Sequence, residues 1–462
     1  MRTHSLRTVG SVLAGFALVL AGVSAPAAAA DPVNSWPQYG QNALHTGTNP
    51  GEHAFNTGNI ANVKVVSRAH FGDNTTNHGG PVISDGKMYV TNFDGDLSVF
   101  ATAGCGADPC EPLWRAHIDD GTIDSTPAVA GGLVFVASTN IHQLFAFPAG
   151  GCGAALCKPV WTGRMLDGAT GSVTIAGGIA YVGDFTGHLY AFRAAGCGKA
   201  TCSPLWIGAG LTNESLGTPA VGNGFVYVTS FQSTPDLFTG RVLAFSIAGC
   251  GASTATCKPS WTADIGGPGQ AVAVAGNTVF TGSSTLFGDG VNTEFHLMAF
   301  AGGGCGHAVC KPIRTYFTGG FGVEGGLAIA GNVLLASDND TIDPRFIGGV
   351  FAYSVNGCGK AQCRPNWMGL SFATAPASPP VVVDDVVLLG KGPASGFPVD
   401  SGFFTYNLRG CGATVCEPIS LVQLGEQEGY LGSPLAVADH KIFMESNDNS
   451  DGHSYVYTAA LT

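Results

Sequence analysis

The chain has 462 residues, of which 45% are hydrophobic, 11% are charged and 69 are glycine, and its formal charge is −12. With 20 Lys and Arg against 32 Asp and Glu it lacks the basic stripe that displaces counterions from phosphates, which excludes nucleic acid as a partner. The glycine content, 10% aromatics and no long 3.6-residue periodicity after the first 30 residues suit a turn-rich all-β protein.

Residues 1–30 read as a secretory signal peptide. Arg2 and Arg7 open it, residues 9–23 are apolar, and Ala28, Ala29 and Ala30 offer a small-residue cleavage site before Asp31. The apolar run is short for a bilayer span, and Pro26 and a run of alanines follow it. No membrane span is expected once the leader is removed, and no cysteine lies near the cleavage site to carry a lipid anchor. The expectation is a protein secreted outside the cell or held in its envelope, starting near Asp31. Loss of Arg2 and Arg7 would bring its formal charge to −14.

A lead-in at residues 36–50 and a strand at 63–71 come next, followed by one motif written seven times. It reads Gly-Cys-Gly, three to five residues, Cys, any residue, Pro, and it holds all 14 cysteines. The pairs are Cys105/Cys110, Cys152/Cys157, Cys197/Cys202, Cys250/Cys257, Cys305/Cys310, Cys358/Cys363 and Cys411/Cys416, with copies 45 to 55 residues apart. A period of that size signals a solenoid or a propeller. In an exported chain an even cysteine count implies disulfides, here local ones across a tight hairpin. Zinc is the competing reading, but a four-thiolate site needs two motifs side by side, and these are odd in number and spread along the chain. Closing so short a loop contributes at most about 2 kcal/mol, so each disulfide is expected to pin its own repeat.

Within a repeat, residues 125–161 show the grammar. "STPAVAGG" is a short strand with a Gly-Gly turn, "LVFVAS" and "HQLFAF" are alternating strands, and "KPVWTGR" after Cys157 is a fourth. An aromatic stands five residues before each first cysteine: Phe100, Phe147, Phe192, Phe245, Phe300, Tyr353 and Tyr406. A proline follows each second cysteine by two residues, at a place expected to tolerate it because a blade's outermost strand is an edge. Trp114, Trp161, Trp206, Trp261 and Trp367 come two residues later still, and a tryptophan recurring once per blade reads as packing between blades rather than a ligand cage.

The first-to-second strand unit occurs eight times and so does the fourth strand, whose first copy, residues 63–71, precedes any first strand. The chain ends on a third strand with no fourth. The N-terminal strand must therefore complete the C-terminal blade, which accounts for eight blades with seven cysteine pairs. The predicted fold is all-β: a single eight-bladed β-propeller of four-stranded antiparallel blades over residues 31–462, closed by the N-terminal strand.

"GHLYAFRAAGCG" followed by "CSPLW", with the opening "WPQYGQNALHTGTNP" and "NIANV", resembles the pyrroloquinoline-quinone-like (PQQ-like) propeller repeat of the quinoprotein alcohol dehydrogenases. The resemblance spans nearly all of residues 31–462. It implies the eight-bladed fold and, among functions, either a quinone-dependent alcohol or sugar dehydrogenase or a scaffold without catalysis. The adjacent cysteine pair of those dehydrogenases and the Cys-x-x-Cys-His of their haem-bearing relatives are both absent. The quinone carries three carboxylates and needs arginines or lysines to hold it.

Loops joining fourth to first and second to third strands share one propeller face, and there all the length variation lies. That face holds 22 of the 32 acids against two bases, Arg345 and Lys391, while the cysteine hairpins carry Lys158, Arg193, Lys199, Lys258, Lys311, Lys360, Arg364 and Arg409. An acidic variable face repels an anionic cofactor and attracts a basic protein segment or a metal cation; a glycan is also open. Asn447, Asn449 and Asp451 before Gly452 have the alternation of a calcium loop without its final Glu, and Asp338, Asp340 and Asp343 form a second acidic cluster. Polar hairpin turns of Asp, Asn and Gly are the favoured reading of both. His78, Asp124, Glu324 and Tyr430 precede first strands and are expected to ring the axial mouth. No nucleophile elbow, phosphate loop or His-Glu-x-x-His is present, and the twelve histidines are scattered and nominate no triad. A binding or scaffolding module is the reading, with no catalytic or cofactor residues named; calcium remains open. The alternatives are the dehydrogenase or a loop-carboxylate hydrolase or lyase. A monomer is expected.

Peptide mapping without reductant should return seven cross-linked peptides, each pairing cysteines of one motif. Linkage between motifs would overturn the hairpin reading.

Overall fold

Alternation of apolar and small residues, punctuated by glycine turns, folds each repeat into a four-stranded antiparallel meander. The computed structural model describes residue 1 and residues 34–73, 79–118, 121, 123, 125–210, 214–234, 237–251, 256–267, 269, 272–282, 296–318, 323, 325–338, 348–371, 378–391, 401–424, 433–448 and 451–462. The second blade is representative. Its strands are Ala128–Ala130, Leu133–Ala137, Gln143–Pro148 and Trp161–Arg164, in that order from axis to rim. Ala128 pairs with Phe135, Phe135 with Ala146 and Ala146 with Trp161. The middle strands are buried on both faces, because each sheet is sandwiched between its neighbours.

Eight such sheets form the ring. The outer strand of the eighth is Val63–Asp73, at the start of the propeller, running antiparallel to His453–Leu461 with Val63 opposite Leu461 and Asp73 opposite His453. The closing strand thus runs two residues beyond the expected 63–71, into Asp73. The eight-bladed ring and its closure are as the strand count requires.

All seven disulfides form within motifs: Cys105–Cys110, Cys152–Cys157, Cys197–Cys202, Cys250–Cys257, Cys305–Cys310, Cys358–Cys363 and Cys411–Cys416. Each closes its own hairpin, and the hairpin has a second role besides. Each hairpin reaches back and adds a short parallel bridge to the outer strand of the preceding blade. Thr201 and Cys202 pair with Thr162 and Gly163, Thr256 and Cys257 with Ile207 and Gly208, Gln362 and Cys363 with Thr315 and Tyr316, and Val415 and Cys416 with Met368 and Gly369. Single bridges do the same for Ala69 with Cys110, Arg115 with Leu156 and Thr262 with Val309.

Cys310 shows both roles. The sequence gives it one task, closing the hairpin with Cys305, but its N–H also donates to Thr262 O of the preceding blade at 2.7 Å. Cys110 and Cys157 donate in the same way to Arg68 O and Arg115 O. The second cysteine of every pair is buried at such a junction: Cys110, Cys157, Cys202, Cys257, Cys310, Cys363 and Cys416. A hairpin that bonds and buries one cysteine against its neighbour joins two repeats, so it cannot be a device of one repeat alone. The outermost strands are consequently not open edges, and the recurring prolines sit just before those strands rather than on a bare flank. Only the outer strand of the seventh blade, Ser420–Gln423, receives no hairpin among the described residues. The short 3-10 turn Ile60–Asn62 packs beside it, and Leu421 stays 38% exposed.

The first glycine of the motif completes this latch. Gly151, Gly196, Gly249, Gly304 and Gly410 lie so close to the preceding blade's Trp114, Trp161, Trp206, Trp261 and Trp367 that a Cβ would stand 2.6–2.8 Å from the indole Cδ1. Three of the indole N–H groups donate across the junction, Trp206 to Ile247 O, Trp261 to Gly302 O and Trp367 to Leu408 O, at 3.2–3.3 Å. In the fifth blade Arg314 replaces the tryptophan, lies against Gly357 and donates from Nη1 to Val355 O at 2.9 Å, filling the same place with the same bond.

Gly196 and Gly198 separate turn from latch. Both have left-handed φ, +77° and +75°, but a Cβ on Gly196 strikes Trp161 whereas one on Gly198 meets open space. Each Ala substitution should cost about 1–2 kcal/mol for the backbone. Gly196→Ala should lose about 1–3 kcal/mol more through overpacking, read as a lower urea midpoint. Equal midpoints would show that the indole contact does not hold the blades together.

Candidate functional site

A ring of blades offers two places for chemistry, its axis and its loop-bearing rim. The axis is occupied by the chain itself. Residues 36–49 form a strap that hydrogen-bonds the middle of the innermost strand in every blade. In ring order, Ile83 N–H donates to Trp36 O, Val129 to Pro37 O, Ile175 to the Gln38 side-chain oxygen, and Val221 to Ala43 O. Val274 donates to Leu44 O, Ile329 to Thr46 O and Val382 to Gly47 O, while Asn49 Nδ2 donates to Val437 O in the eighth blade. The strap then leaves along the face of the first-to-second strand turns. There Glu52 accepts from His440, His53 bonds Asp384, and Thr57 donates to Asp385.

His45 crosses the ring within the strap. Its Nδ1–H donates to Val272 O at 2.9 Å in the fifth blade, Nε2 lies 3.2 Å from the Thr174 hydroxyl in the third, and the Tyr39 ring packs edge-on against it. The side chain is buried, and desolvation lowers its pKa to about 4 against the bond to Val272.

The second constellation lies on the loop-face rim of the eighth blade, where the first and last strands meet. Asp73 Oδ1 accepts from His453 Nδ1 at 2.6 Å and from His70 Nε2 at 2.9 Å. A bulge brings the trio together. His70 pairs with Tyr455 and Asp73 with His453, while Phe71 between them has no partner and turns into the core. The extra residue puts His70 and Asp73, three apart, on the same face. Hydrogen bonds from His70 and then His453 hold the Asp73 carboxyl below the usual carboxylate range. Arg68 lies 4.5 Å over the Tyr455 ring beside them.

Of the residues nominated from the sequence, Asp451 is next to this trio. Its Oδ1 accepts from His453 N–H at 2.8 Å and its Oδ2 from the Tyr455 hydroxyl at 2.7 Å. Although partial desolvation opposes it, those hydrogen bonds lower its pKa. Both of its oxygens are thereby engaged in holding the turn before the last strand. Asn447 and Asp338 contribute backbone to strands, opposite Ser454 and Gly349. Asn449, Asp340, Asp343, His78, Asp124, Glu324 and Tyr430 lie outside the described residues.

Two expectations about charge and histidines are corrected. Arg241 is a further base on the loop-face rim, 3.1 Å from Asp264 and 3.4 Å from the buried Glu214. The opposite face is not simply basic, since Asp384, Asp385 and Asp439 in its turns bind His53, Thr57 and Thr102. The histidines are not all scattered, because closure joins His70 and His453 through Asp73, which lies 380 positions from His453. Strand register around the closing pair could have found them; motif spacing could not.

The chain matches a protein-family model and superposes on solved propellers. A family model described as outer membrane protein assembly factor BamB matches residues 64–300, just over half of the chain. The chain belongs to this PQQ-like propeller family. BamB from Moraxella catarrhalis superposes with a TM-score of 0.53 at 14% identity, covering 86% of this chain and 97% of that one. A europium-containing methanol dehydrogenase gives 0.62 at 11%, covering 93% and 98%, and the computationally designed Ika8 protein gives 0.58 at 12%, covering 85% and 99%. At such identities the likeness is one of fold. A search of curated proteins returns no significant match to the sequence. Among the described residues no helix is long and apolar enough to cross a membrane.

His45 sets a pH dependence. Unfolded, its imidazole takes a proton near pH 6.5; folded, it stays neutral down to about 4. Its contribution to stability is complete above pH 6.5 and is lost as pH falls toward 4, amounting to about 2 kcal/mol between pH 6.5 and 5. His45→Gln should flatten the urea-midpoint profile over that interval. A variant profile parallel to the wild type would place the titrating group elsewhere.

Proposed function

We propose that this protein is an exported binding and scaffolding module that presents its acidic, loop-variable face to a basic segment of a protein partner. The observation that carries this reading is the composition of the axis. Neither the innermost strands nor the strap contains a single Arg or Lys among the described residues. A quinone with three carboxylates has no cation to meet there, and the chain has no adjacent cysteine pair. The residues therefore do not fit that cofactor, and no redox step is derived from them. What the ring does provide is rigidity. Seven latched hairpins and one axial strap fix the blades, leaving sequence variation to the loops of one face.

Fold relatives include an assembly factor as well as dehydrogenases, and the acid content of the loops, not the resemblance, favours a cationic partner. Seven disulfides suit an oxidising compartment outside the cytosol or in the envelope.

Two measurements test this. Purified protein supplied with quinone and calcium should show no dye-linked oxidation of alcohols or sugars; turnover at stoichiometric quinone would reverse the reading. Capture experiments from envelope and culture fluid should recover a partner that is lost in raised salt and in the triple variant Asp338→Asn, Asp340→Asn, Asp343→Asn. A partner insensitive to both would remove the acidic face from the account.

A further inference from the structure

We propose that His70, Asp73 and His453 form a binding site for one divalent transition-metal ion of the zinc class, placed so that the metal ties the closing strand to the last strand. Two imidazoles and a carboxylate are the donor set that such ions take, whereas calcium and magnesium prefer oxygen alone. One donor atom from each residue lies within 4.8 Å of the other two. Bound at about 2.0–2.2 Å, tetrahedral ligands stand roughly 3.4 Å apart. The two imidazole nitrogens, now 2.9 and 2.6 Å from Asp73 Oδ1, would move outward by less than the width of an atom. Each ring binds as the neutral tautomer that carries its proton on the other nitrogen, Nδ1 of His70 and Nε2 of His453, which leaves the facing nitrogen's lone pair for the metal, and the fourth position is open to water.

The rest of the ring shows why this place differs from an ordinary ion pair. The same cross-strand rim position holds Asp96 with His117 in the first blade, 2.8 Å apart, and Arg241 with Asp264 in the fourth. Those are pairs. In the eighth blade a third donor, His70, is added, and it reaches the site only because the bulge at Phe71 reverses its facing. Bulges re-aim side chains in this way beside functional sites. A pair suffices for cross-strand attraction, while three convergent donors are what a metal requires. The surroundings also fix the ligands. Asp451 holds the His453 backbone and Tyr455, and Tyr455 packs against both imidazoles, with ring centroids 5.7 Å from His70 and 6.2 Å from His453. His70 and His453 themselves meet edge to face at 4.8 Å. The trio is partly open to solvent, so an ion has a path in.

The test uses the untagged full-length chain, stripped with chelator and titrated calorimetrically with zinc, then with calcium. Zinc should bind once per chain and raise the unfolding temperature, and calcium should do neither. His70→Ala should weaken zinc binding by more than the roughly 10–100-fold that loss of an outer partner costs, and should cancel the thermal shift. His117→Ala, which removes the histidine at the corresponding rim position of the first blade, should leave zinc affinity unchanged. Copper(II) added to the wild type should show hyperfine coupling to two imidazole nitrogens in its electron paramagnetic resonance spectrum, a readout that requires no variant to fold. Zinc affinity unaltered by His70→Ala, or a copper spectrum without two nitrogens, would overturn the proposal and leave the trio as a hydrogen-bonded cluster.

Discussion

The architecture depends on one constraint, that eight blades must share a single short peptide at their axis. An innermost propeller strand has N–H groups directed toward the axis and no further strand to receive them. Here residues 36–49 receive or supply a bond at each blade, from Ile83 round to Val437. Backbone carbonyls serve six blades, and Gln38 and Asn49 extend a side chain where the strap runs too far from the third and eighth. Its buried histidine is neutral for the same reason: a charge in so enclosed a place would have no counterion and little water.

The outer circumference solves the complementary problem. Outermost strands also carry unpaired groups, and an uncovered edge invites pairing with another chain. Each cysteine hairpin covers the flank of the blade before it, and in five of the seven the glycine ahead of the cysteine lets the hairpin settle on an indole. The disulfide closes only a few residues and adds little by chain entropy. Its larger effect is to hold the bridging residues extended, so that the latch is ready-formed when two blades meet. Arg314 shows that a flat group other than tryptophan can fill the junction and make the bond to a carbonyl that Trp206, Trp261 and Trp367 make.

Blade number and ring closure were legible in the amino-acid sequence because both follow from counting strands whose markers recur. The tryptophans were legible as inter-blade packing, since Trp114 and its counterparts recur once per repeat. The direction of the hairpins was not: Cys202 pairs locally with Cys197 and Cys310 with Cys305, and nothing in that spacing reveals that their backbones also reach Gly163 and Thr262. The strap was visible as a lead-in of residues 36–50, but its role rests on contacts with strands up to Val437. Composition led to the expectation of an acidic loop face, yet it could not show Arg241 engaged with Asp264 and Glu214. The His70–Asp73–His453 trio was hidden for a different reason. It needs the register of the closing strand and a bulge inside it, and a bulge leaves no mark on hydrophobic alternation when the residue it displaces, Phe71, is itself apolar.

A ring built of near-copies has a difficulty that a less regular protein escapes. Seen from outside, most of its sectors look alike, and a partner that recognises one could settle on any of them in turn. The flank at Ser420–Gln423, which no cysteine hairpin covers, removes that degeneracy. It occurs once among the described sectors, beside the closing strand and the turn Ile60–Asn62, and it carries the exposed Leu421 where other sectors carry a cysteine hairpin. The molecule therefore has a fixed clock position as well as a top and a bottom, and anything bound to its loop face can be held at a defined angle about the axis.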